Sequence, residues 1–191
     1  MACFAGRYDI TVDSKRRLGI PAACMMELFM DSDKYTGDPD HDAVAFKTFK
    51  ESGPLFHVTE GKDRYLVIDP RETFKRKAER IRREYGHRNA DSEARRYMHE
   101  IMNAAQPVKC DKQGRITVSA RQLEYAGIKE NAVIIGMFDY LEVWDPERYD
   151  AYMSSGTSTS EERIEKFGWV EKEPDAVGPD EHNIPQPDNG K

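Results

Sequence analysis

Two pairs of charged residues stand at one spacing in this chain: Asp13 with Arg17 and Asp111 with Arg115, each acid four residues ahead of its arginine. A guanidinium carries five N–H donors in a rigid fork that fits the O6 and N7 edge of guanine or the oxygens of a phosphate. An arginine held at a fixed angle is therefore suited to reading nucleic acid. An aspartate at the head of a turn accepts hydrogen bonds from the amides that follow it and so sets the path of the chain. The plainer role of each pair is an ion pair inside a tight turn. Repetition argues for more. Asp13-Ser14-Lys15-Arg16-Arg17-Leu18-Gly19-Ile20-Pro21-Ala22 and Asp111-Lys112-Gln113-Gly114-Arg115-Ile116-Thr117-Val118-Ser119-Ala120 are two copies of one small unit, each aiming an arginine the same way. Lys15, Arg16 and Lys112 add cations to the same turns.

The elements around these turns follow from alternation. Tyr8, Ile10 and Val12 alternate with Arg7, Asp9 and Thr11, and Leu18 and Ile20 with Arg17 and Gly19, so two short half-buried strands flank the first turn. Val108 and Cys110 lead into the second turn, and Ile116 and Val118 leave it on one face. Gly114 supplies positive φ without steric cost. Arg16 occupies the equivalent place in the first copy, which requires either a different turn or a strained residue. The two turns are therefore expected to differ.

Helices follow. Ser119 to Gln122 forms a capping box and Gly127 ends a helix over 120–126, while Pro21 opens one over 22–30. Each copy closes alike, with Tyr65-Leu66-Val67-Ile68-Asp69-Pro70 and Tyr140-Leu141-Glu142-Val143-Trp144-Asp145-Pro146 reading as a strand running into an Asp-capped helix. Ala132 to Phe138 is a further strand. Its counterpart in the first copy is diluted by Tyr35 to Lys62, read as an insertion.

A charged helical stretch joins the copies, with Phe74, Ala78, Ile81 and Tyr85 on one face. Gly86 and Asn89 break it, and a second helix carries Ala94, Tyr97, Met98, Ile101, Met102 and Ala105 until Pro107. These stripes read as core or subunit contacts. Residues 71–100 hold ten Lys and Arg against six acids. A solvated face laced with i,i+4 pairs explains most of that, and attraction to nucleic acid is the alternative. From Ser154 the chain turns polar. Residues 154–191 carry nine acids and four bases, so the formal net charge of −6 belongs mostly to this tail, which composition marks as disordered apart from a turn or two of helix over 161–167 and a docking Trp169. The organisation is a first half over 4–69 with an insertion at about 35–62, a helical linker over 70–106, a second half over 107–153 and the tail.

The bounds exclude several classes. No apolar run is long enough to cross a membrane and the N-terminus lacks a signal-peptide core. Cys3, Cys24 and Cys110 are odd in number and scattered, which suits a reducing compartment and argues against a disulfide framework or structural zinc. Asp38, Asp40, His41, Asp42 and His57 could gather a metal for an enzyme, but they show no metal-ligand spacing such as H-E-x-x-H.

The Asp-x-x-x-Arg turn inside a β-α-β unit, written twice about a helical linker and closed by Leu141-Glu142-Val143-Trp144-Asp145, resembles the MraZ family of bacterial cell-division and cell-wall cluster regulators in the SpoVT/AbrB superfamily. The likeness covers roughly residues 4–153. It implies an α+β fold of two tandem swapped-hairpin β-barrel halves in pseudo-two-fold arrangement, and subunits closed into a homo-oligomeric ring. The implied partner is double-stranded DNA at repeated boxes before division genes, in the cytoplasm at the nucleoid, with no catalysis, cofactor or metal. It also implies that Arg17 and Arg115 contact DNA with Lys15, Arg16 and Lys112 beside them, while Asp13, Asp111 and Gly114 shape the turns. Lys15 fits the family's first motif, whereas Arg16 replaces a glycine usual there. An antitoxin-like module of the same superfamily is the runner-up.

Overall fold

The computed structural model describes residues 2–85, 92–156 and 159–167, and the chain divides into two compact units, Met1–Met153 and Ser154–Lys191. In the first unit the first repeat supplies β1 (Arg7–Thr11), β2 (Arg17–Gly19), α1 (Ala22–Met30), α2 (Pro39–Ser52), β3 (Leu55–Glu60) and β4 (Leu66–Pro70). Two helices follow, α3 (Arg71–Tyr85) and α4 (Ser92–Ala104). The second repeat supplies β5 (Gln106–Lys109), β6 (Arg115–Thr117), α5 (Ala120–Ala126), β7 (Asn131–Met137), β8 (Tyr140–Trp144) and α6 (Pro146–Ser154). The expected breakers Gly86 and Asn89 lie outside the described residues.

Among the described residues there are two sheets, one of six strands in the order β1-β7-β8-β4-β3-β5 and a ribbon of β2 with β6, with every pair antiparallel. Exchanging equivalent strands of the two repeats (β1 with β5, β3 with β7, β4 with β8) turns the six-strand order into its own reverse. β1 pairs with β7 of the other repeat and β5 with β3 of the other repeat. Neither repeat completes its strand pairing alone. The core runs through both, with Leu18, Ile116, Val58, Leu66, Ile68, Ile134, Leu141 and Val143 fully buried. Such interleaved apolar burial is the dominant favourable term in folding.

The stretch read as an insertion, Tyr35 to Lys62, is only partly extra. Its Leu55–Glu60 portion is β3, which sits inside the sheet with Phe56 and Val58 buried. His57 and Thr59 on the other face, with Glu60 ending the buried one, made the strand look polar. The added element is α2, whose N-cap Asp38 accepts from the amides of Asp40 and His41 and whose C-cap Gly53 is left-handed at φ 67°. Phe29 of α1 packs on Phe46 and Phe49 of α2 at ring-centroid distances of 5.4 and 5.7 Å.

Caps set the second repeat. α5 carries the expected capping box between Ser119 and Gln122 and ends at left-handed Gly127. Gln122 does more than cap, because its fully buried amide also donates to the Val58 carbonyl of β3 at 3.0 Å and so ties the two repeats together. Asp145 caps α6 through the Arg148 amide at 3.1 Å. Asp69 departs from the expected cap. It is buried and its carboxylate receives the Lys77 ammonium at 2.6 Å, and burial pushes its pKa up against that pairing. Trp144 Nε1 donates to buried Glu142 at 2.9 Å and its ring stacks on Tyr65 at 4.5 Å.

In the second unit α7 (Ser160–Phe167) opens with a reciprocal cap, the Thr159 amide donating to Glu162 at 2.7 Å and the Glu162 amide to the Thr159 hydroxyl at 3.1 Å. Trp169 and the rest of the tail lie outside the described residues.

Candidate nucleic-acid interface

The β2–β6 ribbon places Arg17 opposite Thr117, Leu18 opposite Ile116 and Gly19 opposite Arg115. Two more bonds extend it, from the Ile20 amide to the Gly114 carbonyl and from the Val118 amide to the Arg16 carbonyl, both 2.9 Å. A one-residue slip would turn buried Leu18 and Ile116 outward, so the apolar pattern fixes the register. Through this ribbon two turns far apart in sequence become neighbours. Asp13, Lys15, Arg16 and Arg17 are brought together with Asp111, Lys112, Gly114 and Arg115.

Each turn is built the same way. Asp13 Oδ1 accepts from the amides of Lys15 and Arg17 at 2.9 and 3.0 Å, while its Oδ2 accepts from Arg17 Nε and Nη2, both at 2.7 Å. Asp111 Oδ1 accepts from the amides of Gln113 and Arg115, both 2.9 Å, and its Oδ2 from Arg115 Nε and Nη2, both 2.8 Å. One carboxylate thus caps the turn with one oxygen and holds the guanidinium with the other. The turns also reach each other, with Arg17 Nη1 at 4.0 Å from Asp111 Oδ2.

The expectation that the turns differ is corrected. Their backbone bonds match: the Asp13 and Asp111 amides donate to the Arg17 and Arg115 carbonyls at 3.0 and 2.8 Å, and the Arg16 and Gly114 amides return to the Asp13 and Asp111 carbonyls at 2.8 and 2.9 Å. Arg16 adopts the left-handed conformation at φ 59° where Gly114 has 79°. The bond from Val118 to the Arg16 carbonyl holds that residue in the strained region. Replacing it with glycine relieves roughly 1–2 kcal/mol of strain and forfeits about 0.5–1 kcal/mol of chain entropy. Arg16→Gly is expected to stabilise the fold by about 0.5–1 kcal/mol, read as a rise in the urea midpoint at unchanged slope. A lower midpoint would mean that Arg16 makes contacts worth more than its strain.

The arginines are also less exposed than a bare turn suggests. Their side chains are 28% and 33% accessible for Arg17 and Arg115, so the ion-pair role exists in the structure beside any reading role. Because each aspartate occupies the Nε–Nη2 edge, Nη1 is the group left to contact a partner, and at Arg17 it lies 4.0 Å from Asp111 Oδ2. Hydrogen bonding from Arg17 holds the Asp13 carboxyl down at about 2. At Asp111, burial raises the pKa, but hydrogen bonds from the Arg115 side chain and amide outweigh it, and the net shift is downward. A depressed carboxyl contributes stability above its ordinary range, and that contribution is lost only as the pH falls toward the folded value. Both clamps are therefore fully charged near neutrality.

An open depression of about 820 Å³ lies beside the ribbon, lined by Asp9, Thr11, Asp13, Arg17, Gly19 and Arg115 among others. Its breadth suits an extended partner. Lys15, Arg16 and Lys112 are exposed on the two turns. Gln113 belongs to the same site and was not among the residues singled out from sequence; comparing the copies position by position would have found it, since it stands where Lys15 does.

The residues considered for metal chemistry are used otherwise. Asp38 caps α2, Asp42 accepts from the Thr36 and Gly37 amides, and His57 lies on β3 stacked on Phe74 at 4.0 Å. Among the described residues no group of His, Cys, Asp and Glu could hold a metal ion. On α3, Lys77 and Arg76 form ion pairs off the helix, with Asp69 and with Asp139 at 3.3 Å, while Arg76 also donates along it to the Thr73 hydroxyl at 2.9 Å.

The sequence profile of a family described as "MraZ protein, putative antitoxin-like" matches residues 101–167. The chain is 34% identical to the transcriptional regulator MraZ of Corynebacterium diphtheriae over 78% of its own length and 85% of that protein's. It is 37% identical to the transcriptional regulator MraZ of Corynebacterium urealyticum, over 80% and 87%. The chain belongs to the MraZ family. The stretch matched by the MraZ profile includes the second turn and the β7–β8 pair that closes the second repeat. A further MraZ relative, the transcriptional regulator of Rhodococcus opacus, is 33% identical over 80% of this chain and 87% of its own.

Proposed function

We propose that this protein is a sequence-specific DNA-binding transcriptional regulator that acts as a ring-shaped homo-oligomer on repeated operator boxes upstream of cell-division and cell-wall genes. It works in the cytoplasm at the nucleoid. The observation that carries the reading is the pairing of two identically built Asp–Arg turns on one ribbon. The pairing gives each subunit two arginines held at fixed places by their aspartates, with Lys15, Arg16 and Lys112 on the same two turns. Arg17 and Arg115 read base edges, the lysines and Arg16 neutralise phosphates, and Asp13 and Asp111 orient the readers. The exchange of β1 and β5 between repeats supports a swapped-hairpin barrel of the SpoVT/AbrB type. The names of the relatives support regulation of transcription. Two base contacts select little by themselves, and a ring repeating them along a duplex gains by effective concentration.

Salt tests the electrostatic half. Lys15, Arg16 and Lys112, each displacing a counterion from a phosphate, give a slope of about −3 per subunit in log affinity against log salt, roughly 40-fold between about 50 and 200 mM. Fluorescence titration of the upstream duplex across that range reads it. Affinity independent of salt would remove the basic turns as the interface.

A further inference from the structure

Although the two turns share a backbone, they differ in what stands at their tips. Arg115 Nη2 gives one hydrogen to Asp111 Oδ2 and donates another to Gln113 Oε1 at 3.2 Å. In the first turn the equivalent place holds Lys15, which has donors only and cannot accept from Arg17. At this place the second turn therefore carries a neutral, tethered amide and the first a point charge. Gln113 is exposed, its carbonyl oxygen is engaged, and only its Nε2 hydrogens remain to face outward.

We infer that Gln113 is a base-reading, specificity-determining residue, so that the two turns of one subunit read non-equivalent half-sites. This rests on the reading of the paired turns as the DNA contact. With Oε1 held by Arg115, the amide offers donors alone to the base beside the guanine that Arg115 reads. Guanine, adenine and thymine each present an acceptor in the major groove, whereas cytosine presents only the N4 amino donor. Gln113 therefore rejects cytosine at that neighbouring position. Lys15 reaches the backbone at the equivalent place and adds affinity without sequence information. The pseudo-symmetry of the fold is thus broken at the surface that meets DNA.

The test is a panel of duplexes carrying each base at each operator position, titrated with the full-length protein, Gln113→Ala, Lys15→Ala and Arg115→Ala. Gln113→Ala is expected to erase a discrimination against cytosine of about 5- to 100-fold at one position per box while leaving the salt slope unchanged. Lys15→Ala is expected to keep that discrimination and reduce the slope by about 1. Unchanged cytosine discrimination in Gln113→Ala, with Arg115→Ala still losing the operator, overturns the role of Gln113 and leaves the reading of the turns standing. A loss confined to the guanine that Arg115 reads makes Gln113 a positioning residue and also overturns it. If Arg115→Ala binds as well as the parent, the underlying reading fails instead.

Discussion

Arg17→Ala and Arg115→Ala are each expected to weaken operator binding about 10- to 100-fold, and the double variant to abolish selection of the operator over random duplex, because a well-placed arginine–base contact is worth about 1–3 kcal/mol. The fold should survive both changes. Asp13 Oδ1 and Asp111 Oδ1 cap their turns through main-chain amides, which alanine keeps, and the half-exposed ion pairs that are lost contribute about 1 kcal/mol or less. Removing the guanidinium also frees Asp13, whose carboxyl returns from about 2 toward the ordinary carboxylate range and faces the duplex as an unpaired negative charge. To separate lost reading from added repulsion, Arg17→Lys keeps the charge and removes the fork. It should retain nonspecific affinity while losing preference for the operator. The two sites are coupled through the 4.0 Å approach of Arg17 to Asp111, so the double variant is expected to depart from additivity. Gel-shift titration with far-UV circular dichroism on each variant decides the matter. Full operator affinity in both single variants would end the assignment of these arginines.

The parts of this fold legible in sequence are those whose causes are local. The bounds of α1 and α5 follow from Pro21, the Ser119–Gln122 box and Gly127, all within a turn of the elements they end. The repeated Asp-x-x-x-Arg was legible because it is written twice and because Asx turns are made by the residues themselves. What stayed hidden depends on partners distant in the chain. β3 looked like insertion because His57, Thr59 and Glu60 mask an alternation whose buried members, Phe56 and Val58, are explained only by their neighbours in β4 and β5. The left-handed Arg16 was ambiguous because the bond that holds it comes from Val118, on the other repeat. Asp69 carried the signs of a cap and became the buried partner of Lys77. Gln122 showed its cap in sequence but not its bond to Val58. In each case the local rule was sound and a contact between repeats either overrode or extended it.

An operator whose boxes recur at one helical turn, roughly 10 base pairs, is expected from one pair of turns per subunit repeated around a closed ring, since that spacing returns the same groove face to successive readers. Inserting about 5 base pairs between two boxes rotates one to the far side of the duplex. If the boxes are held simultaneously, the second binding event is intramolecular, and its loss should reduce affinity about 100-fold or more. A full-turn insertion restores the facing and should cost far less, because the remaining penalty is only bending or reach. The comparison of half-turn with full-turn insertions is therefore sensitive to phase and insensitive to length. The two turns of a single subunit sit on one ribbon, with Gly19 directly opposite Arg115, and cannot themselves span a helical turn. The phase dependence must then come from different subunits. Footprinting and affinity on the insertion series, together with the mass of the free protein by light scattering, test the array. Equal affinity for the two insertions would mean that subunits do not read the duplex in phase, and the ring mechanism would fall even if Arg17 and Arg115 proved to be the readers.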